Sequence, residues 1–222
     1  SNEFYWEQQL SLVFDGMRKN LPAEEQQRLI HKFLKSDISS ISTEELVKKE
    51  ENEELEFKET FFINTHTNKK DGKIIFSALR EICGFLNTCD GVLLVSVRDH
   101  KNRRNNLDNV QGLSADKFKD DEDKYIRDIQ NAVVDSMGTL AAGQVHINID
   151  EVDNKRVCRI NCRKSKTMTY LTYKNNEEQV IVRSGSSSRK LRPSELEKWQ
   201  RQHNLGNHPD EYPIQPLSKE NG

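Results

Sequence analysis

The sequence predicts an α+β domain, a mixed or antiparallel sheet with flanking helices, preceded by a small helical appendage. Three observations predict it. A helix-period segment from Ile74 to Leu86 runs into a near-continuous apolar stretch, Val92 to Val97, with the composition of a central strand. From Val145 onward the apolar period drops to 2, in short segments separated by turn residues, as in successive hairpins. The first 40 residues, by contrast, repeat apolar positions only at helical spacing and end in a serine-rich break.

Each element follows from local pattern. Trp6, Leu10, Val13, Phe14 and Met17 mark a helix over residues 4–19, and Leu29, Ile30, Phe33 and Leu34 mark a second after Pro22. Residues 36–42, with four serines and Asp37, read as a linker, and Ser42 with Glu45 forms a capping box before a short helix near 43–50. Glu54 to Lys58 alternates as a half-buried strand does, with Glu54, Glu56 and Lys58 on its charged face. Asp71-Gly72 is a turn before the helix that ends near Asn87, and Gly91 opens the central strand, which closes on Arg98-Asp99-His100. Residues 101–110 form a polar loop; Tyr125, Ile126, Ile129, Val133 and Met137 mark a helix stopped by Gly138. Val145–Ile149, a turn at Asp153-Asn154, Val157–Cys162, Tyr170–Tyr173 and Gln179–Arg183 read as an antiparallel meander or successive hairpins, and Ser194 with Glu197 caps a closing helix. The expected organisation is an appendage over 1–40, a main domain over 43–203 and an extended or disordered tail over 204–222 carrying Pro209, Pro213 and Pro216.

Composition excludes several classes. The 222 residues are 32% charged and 34% hydrophobic, so the core must be concentrated in part of the chain. The Val92–Val97 stretch falls far short of the roughly 20 apolar residues that span a bilayer, and the N-terminus lacks a signal-peptide pattern. Cys83, Cys89, Cys158 and Cys162 form neither a disulfide framework nor a CxxC pair, so a reduced, cytoplasmic protein is expected and zinc is not. The chain opens on Ser1 and has its first methionine at Met17, which reads as part of a longer protein. No GxxxxGK[ST] loop exists, so no nucleotide cofactor is expected.

Net charge is −2, but it is unevenly spread. Residues 44–59 hold eight glutamates against three lysines, and residues 155–192 hold eleven bases against two glutamates. An acidic knot beside a basic half suits a cation site next to a polyanion-binding surface, or two solvated faces. In the knot, Glu51, Glu56 and Asp99 are candidate ligands for Mg²⁺ or Mn²⁺, which prefer oxygen donors, polarise phosphate and activate water. Five residues separate Glu51 from Glu56, so Glu51 can join only if the strand begins after it or bulges. Lys58 shares the face of Glu56, where it contacts a scissile phosphate or forms an ion pair with Glu54 or Glu56. In the basic half, Arg159, Arg163, Lys164, Lys166, Arg183, Arg189 and Lys190 are candidate nucleic-acid contacts, and Tyr170 and Tyr173 could stack unpaired bases. Ser184 to Lys190 suits a phosphate backbone or a plain hydrophilic hairpin turn.

These residues resemble the Schlafen family's AlbA-like domain over about residues 43–200. The acid of Glu51-x4-Glu56-Phe57-Lys58 precedes a "vEFK" strand; Gly84-Phe85-Leu86-Asn87-Thr88-Cys89-Asp90-Gly91 matches "AFxNTxGG". Val92 to Asp99 matches a strand ending "IGVDD", Gly112-Leu113 follows it, and Val182-Arg183-Ser184-Gly185-Ser186 matches "VRxGS". Asp90, Ser96 and Arg98 stand where the family has Gly, Gly and Asp. The resemblance implies a three-carboxylate, divalent-metal-dependent endoribonuclease site at Glu51, Glu56 and Asp99, acting on structured RNA such as tRNA. Single-stranded DNA is the second substrate class, a non-catalytic nucleic-acid-binding module of a larger regulatory or defence protein is the alternative function, and a protein partner or second copy could dock on the N-terminal helices.

Overall fold

The computed structural model describes residues 37–98, 109–118, 121–173 and 177–204. The helices expected over 4–34, the candidate Asp99 and the proline-containing tail lie outside the described residues. The chain divides into two compact units, Ser1–Ser42 and Thr43–Gly222. In the first, Asp37 caps a single 3-10 turn, Ile38–Ser40, by accepting from the Ser39 amide at 3.0 Å.

The second unit is built on a four-stranded sheet in the order β1 (Leu55–Lys58), β4 (Gly91–Val95), β6 (Lys155–Cys162), β5 (Val145–Val152). The apolar Val92–Val95 segment is central, as its composition predicts, and all of β4 is buried. β1 runs parallel to β4, with Glu56 opposite Leu93 and Lys58 opposite Val95, whereas β6 is antiparallel to both β4 and β5. The sheet is therefore mixed. Joining β1 to its parallel neighbour requires a crossover, supplied by the small hairpin β2 (Ile63–Asn64) and β3 (Lys69–Lys70) followed by helix α2 (Gly72–Thr88). A one-turn helix α1 (Thr43–Leu46) precedes β1. The half-buried pattern expected of the first strand is corrected here: Leu55, Glu56 and Phe57 are all buried, because both faces of β1 are covered.

Asp71 does more than turn the chain. Its carboxylate accepts from the Lys73 amide at 2.8 Å and caps α2. At the other end, a side chain at Gly91 would meet the Phe85 ring at 2.1 Å, so only glycine lets β4 start this close beneath the helix. Helix α3 (Glu122–Met137) is capped by Asp121, which accepts from the Lys124 amide at 3.0 Å, and ends at Gly138 with φ +84°; a short helix α4 (Thr139–Ala142) follows. Ala78, Leu79, Ile82 and Leu86 of α2 and Ile129 and Val133 of α3 form one core with Leu93, Val95, Ile147, Cys158 and Ile160 from the sheet.

The turn at Asp153-Asn154 closes β5 onto β6 with both residues at positive φ, +52° and +56°, the backbone of a type I′ hairpin. Beyond Cys162 the chain follows the second of the two expected arrangements, a separate hairpin, and not a continuous meander. Tyr170–Tyr173 forms no strand, only a bridge from Leu171 to Gln179, and β7 (Ile181–Ser184) pairs with β8 (Ser187–Lys190) in a separate two-stranded sheet. Asn87 causes the departure. Buried at the end of α2, its side chain donates to the carbonyls of Thr169 (2.8 Å) and Ile181 (2.9 Å) and accepts from the Thr169 amide (2.8 Å), holding the returning chain against the helix. The closing helix α5 (Pro193–Asn204) starts one residue earlier than expected, since Pro193 suits a first helical position and Glu195, not Glu197, reaches back to the Arg192 amide at 2.9 Å.

Candidate functional site

Asn52 shapes the approach to β1. Its side chain accepts from the Glu54 amide at 2.8 Å while its own amide donates to the Leu55 carbonyl at 3.0 Å, folding residues 52–55 into a tight turn. The strand thus begins after Glu51, the condition under which Glu51 can join Glu56. Glu51 Oε1 accepts from the Phe57 amide at 3.0 Å, on the outer edge of the sheet. Glu56 shares the register of Leu93, so its side chain lies on the face that carries Leu93 and that α2 covers.

There Glu56 enters a charge cluster of which only part was legible in the sequence. Its Oε2 accepts from Arg183 Nη1 at 3.1 Å, and its Oε1 from Lys58 Nζ at 2.5 Å. Arg183 Nη1 also donates to Glu81 Oε2 at 2.6 Å, the same oxygen that accepts from Ser188 Oγ at 2.6 Å. Arg183 Nε and Nη2 donate to the carbonyls of Glu53 (3.1 Å) and Asn52 (2.6 Å), and its guanidinium lies 4.5 Å from the centroid of the Phe85 ring. Two carboxylates, a guanidinium and an ammonium balance formally to zero charge, which lowers the cost of burying them together. Gly84 makes room for it: a Cβ there would stand 2.6 Å from Ser188 Oγ. Sequence reasoning missed Glu81. Its signal was a lone acid among Ala78, Ile82, Cys83 and Phe85 on the buried face of a helix, a position charges occupy only when paired.

The basic candidates fall into two groups. Arg183 and Arg159 are buried, Arg183 in the cluster and Arg159 with its guanidinium donating to Asn161 Oδ1 (2.9 Å) and Thr43 Oγ1 (3.2 Å). Neither reaches the surface, because another element packs over each strand face. Arg163, Lys164, Lys166, Arg189 and Lys190 are exposed. The 163–166 segment is fastened at the C-terminal end of α2, where the Ser165 amide donates to the Leu86 carbonyl at 2.7 Å, and just beyond it, where the Lys164 amide donates to Asp90 Oδ1 at 2.6 Å; the Arg183 amide donates to Thr88 Oγ1 at 2.9 Å, and Arg80, midway along α2, donates to the Ser188 carbonyl of β8. The Ser184–Ser187 segment is a hydrophilic hairpin turn with Gly185 at φ +61°. Tyr170 is exposed, Tyr173 only partly, with its ring 5.8 Å from that of Phe76.

Burial pushes the Cys83 thiol up to about 12 and raises those of Cys158 and Cys162 further, so all three are protonated, weakly ligating groups in the core. Arg98, which replaces an aspartate of the family pattern, pairs with Glu59 on the surface. Ser96, in place of a glycine, sits fully buried at φ +77° with its hydroxyl unpartnered.

The family model for Schlafen, AlbA_2 matches residues 51–192. The chain belongs to the Schlafen AlbA_2 family. The match spans the acidic strand, the α2 clamp, the central strand and the Arg183 hairpin, and it marks the AlbA_2 domain as nucleic-acid-related. No curated protein matches significantly. Among solved structures, the crystal structure of the DIP2311 protein from Corynebacterium diphtheriae aligns at 16% identity and a TM-score of 0.46, over 67% of this chain and 24% of that one. Among the described residues no helix is long and apolar enough to cross a membrane.

The donor set suits a hard divalent cation in one respect. Glu56 Oε1 already holds a cation, the Lys58 ammonium, which stands where a metal ion would bind a carboxylate. Among the described residues no three His, Cys, Asp or Glu side chains converge on one point. Completing a three-carboxylate site with Glu51 and Glu56 therefore needs Asp99, outside them.

Proposed function

We propose that this AlbA_2 domain is a divalent-metal-dependent endoribonuclease acting on structured, tRNA-like RNA. One observation carries the reading: Glu56 is buried and anchored at Oε2 by Arg183, yet among the described residues its Oε1 is held by a partly exposed lysine alone. A carboxylate so placed has one fixed oxygen and one exchangeable oxygen. Glu51, Glu56 and Asp99 would hold Mg²⁺ or Mn²⁺, which when bound supplies Lewis-acid polarisation of the phosphate and an activated water. Lys58 provides positive charge at the reacting phosphate. Arg163, Lys164, Lys166, Arg189 and Lys190 hold the backbone of the substrate, with Tyr170 available to stack an unpaired base. Arg159 and Arg183, being buried, serve the fold and the site instead of the substrate.

A second reading, a nucleic-acid-binding module without cleavage, is favoured by the neutrality of the Glu56–Lys58–Glu81–Arg183 cluster, which needs no metal to balance it. Incubation of a labelled tRNA pool and a matched single-stranded DNA with Mn²⁺ or Mg²⁺, with chelator and with Glu56→Ala separates the two. Metal-dependent cutting of RNA that is lost in the variant supports the nuclease. Retention of RNA without cutting by wild type and variant alike supports the binding module.

A further inference from the structure

We propose that Glu81, outside the acid set, is the positioning residue that receives Lys58 when a divalent cation occupies Glu56. The proposal rests on reading Glu56 as a metal ligand. The two cations of the cluster differ in how they are held. Arg183 is fully buried and bonded to two carboxylates and two carbonyls, so it cannot leave without stranding four acceptors. Lys58 retains 21% of its side-chain exposure and carries a compact ammonium on a flexible stem. Its Nζ is 2.5 Å from Glu56 Oε1 and 3.9 Å from Glu81 Oε1.

Lys58 occupies the exchangeable oxygen of Glu56, so if Glu56 held a divalent cation the Lys58 ammonium would need another acceptor. Glu81 Oε1 is within reach, and a shift of roughly 1 Å closes the bond. Glu81 is held ready for it, because its other oxygen is fixed by Arg183 Nη1 and Ser188 Oγ, both at 2.6 Å. Exchange between the two glutamates keeps the ammonium beside the site instead of releasing it to water. It also makes metal affinity depend on a residue that touches no metal, as the outer partners of metal sites commonly do.

The test is Mn²⁺ binding by calorimetry and by electron paramagnetic resonance to the full chain and to Glu56→Gln, Glu81→Gln, Lys58→Met and the Lys58→Met/Glu81→Gln double variant, each checked for fold by circular dichroism. Expected are loss of binding in Glu56→Gln, a weakening of about tenfold in Glu81→Gln, tighter binding in Lys58→Met, and no further effect of Glu81→Gln once Lys58 is gone. Lys58→Met leaves the buried Arg183–Glu81 pair intact, so it reports on the displacement even if Glu81→Gln fails to fold; unchanged or weaker binding by Lys58→Met overturns the proposal. A Glu81→Gln effect equally large with and without Lys58 also overturns it, leaving the metal site standing. Wild-type binding by Glu56→Gln overturns the metal-site reading and this inference with it.

Discussion

Two buried carboxylates flank this fold, and they are satisfied in opposite ways. Asp116 accepts from three consecutive backbone amides, Phe61 (2.8 Å), Phe62 (2.8 Å) and Ile63 (2.9 Å), and from Tyr125 Oη at 2.5 Å. Every donor is neutral and every one belongs to the fold, so nothing in that knot can exchange without opening the chain between β1 and β2. Glu56 instead is held by cations, one of them a lysine in contact with solvent. Burial alone therefore does not separate a structural acid from the one to which the proposed function assigns chemistry. What distinguishes the two is whether a donor can leave, and only Glu56 among them has one that can.

Breaking each of these in turn should separate structure from chemistry. The largest effect is expected for Asp116→Ala, which strands three amides and a phenol; a loss of about 4 kcal/mol or more in urea unfolding is expected, from roughly 1.5–3 kcal/mol per hydrogen bond to a charged group. Arg183→Met leaves Glu56 and Glu81 without their shared cation and should cost about 3–4 kcal/mol in the same measurement, with Mn²⁺ affinity altered in whatever remains folded. Asn87→Ala removes three hydrogen bonds of the clamp, costs about 2–3 kcal/mol, and should expose the 163–190 segment to protease before the sheet unfolds. Ser96→Gly has the opposite sign: relief of a left-handed backbone and a buried unpartnered hydroxyl outweighs the added chain entropy, a gain of about 1 kcal/mol read as a higher urea midpoint.

The smallest effect concerns pH. The ordinary thiol value is 9.0, and the folded protein holds Cys83 up to about 12. The folded state therefore keeps its proton where the unfolded state loses it, so the contribution is complete below about pH 9 and stability declines as pH rises from there. Thiol labelling at pH 8 should modify Cys89 promptly and the other three cysteines only on unfolding; labelling of Cys158 or Cys162 at the rate of Cys89 would contradict their placement in the core.

Much of the scaffold was legible because it rests on local pattern. The Val92–Val97 stretch could only be central, and Asp153-Asn154 between alternating segments could only turn them back on one another. The parallel pairing of β1 with β4 and the separation of the β7–β8 hairpin from the main sheet were not legible, since alternation gives which residues share a face and not which strand lies beside it. The same gap misplaced Arg159 and Arg183. Strand parity assigns a side chain to a face but cannot say that α1 covers one face and α2 the other. Glu81 and Asp116 escaped for a related reason: Glu81 is a single acid on an apolar helix face and Asp116 stands in a polar stretch, while their partners, Arg183 and the 61–63 amides, lie far away in sequence.

The most direct test of the comparison is metal-dependent tRNA cleavage by Glu56→Gln and Asp116→Asn side by side, at a temperature where circular dichroism shows both folded. Glu56→Gln should be folded and inactive, and Asp116→Asn should be less stable yet cut at the wild-type rate per folded molecule. Cleavage at the wild-type rate by Glu56→Gln, or loss of cleavage confined to Asp116→Asn, would contradict the assignment of chemistry to the carboxylate whose partner can leave.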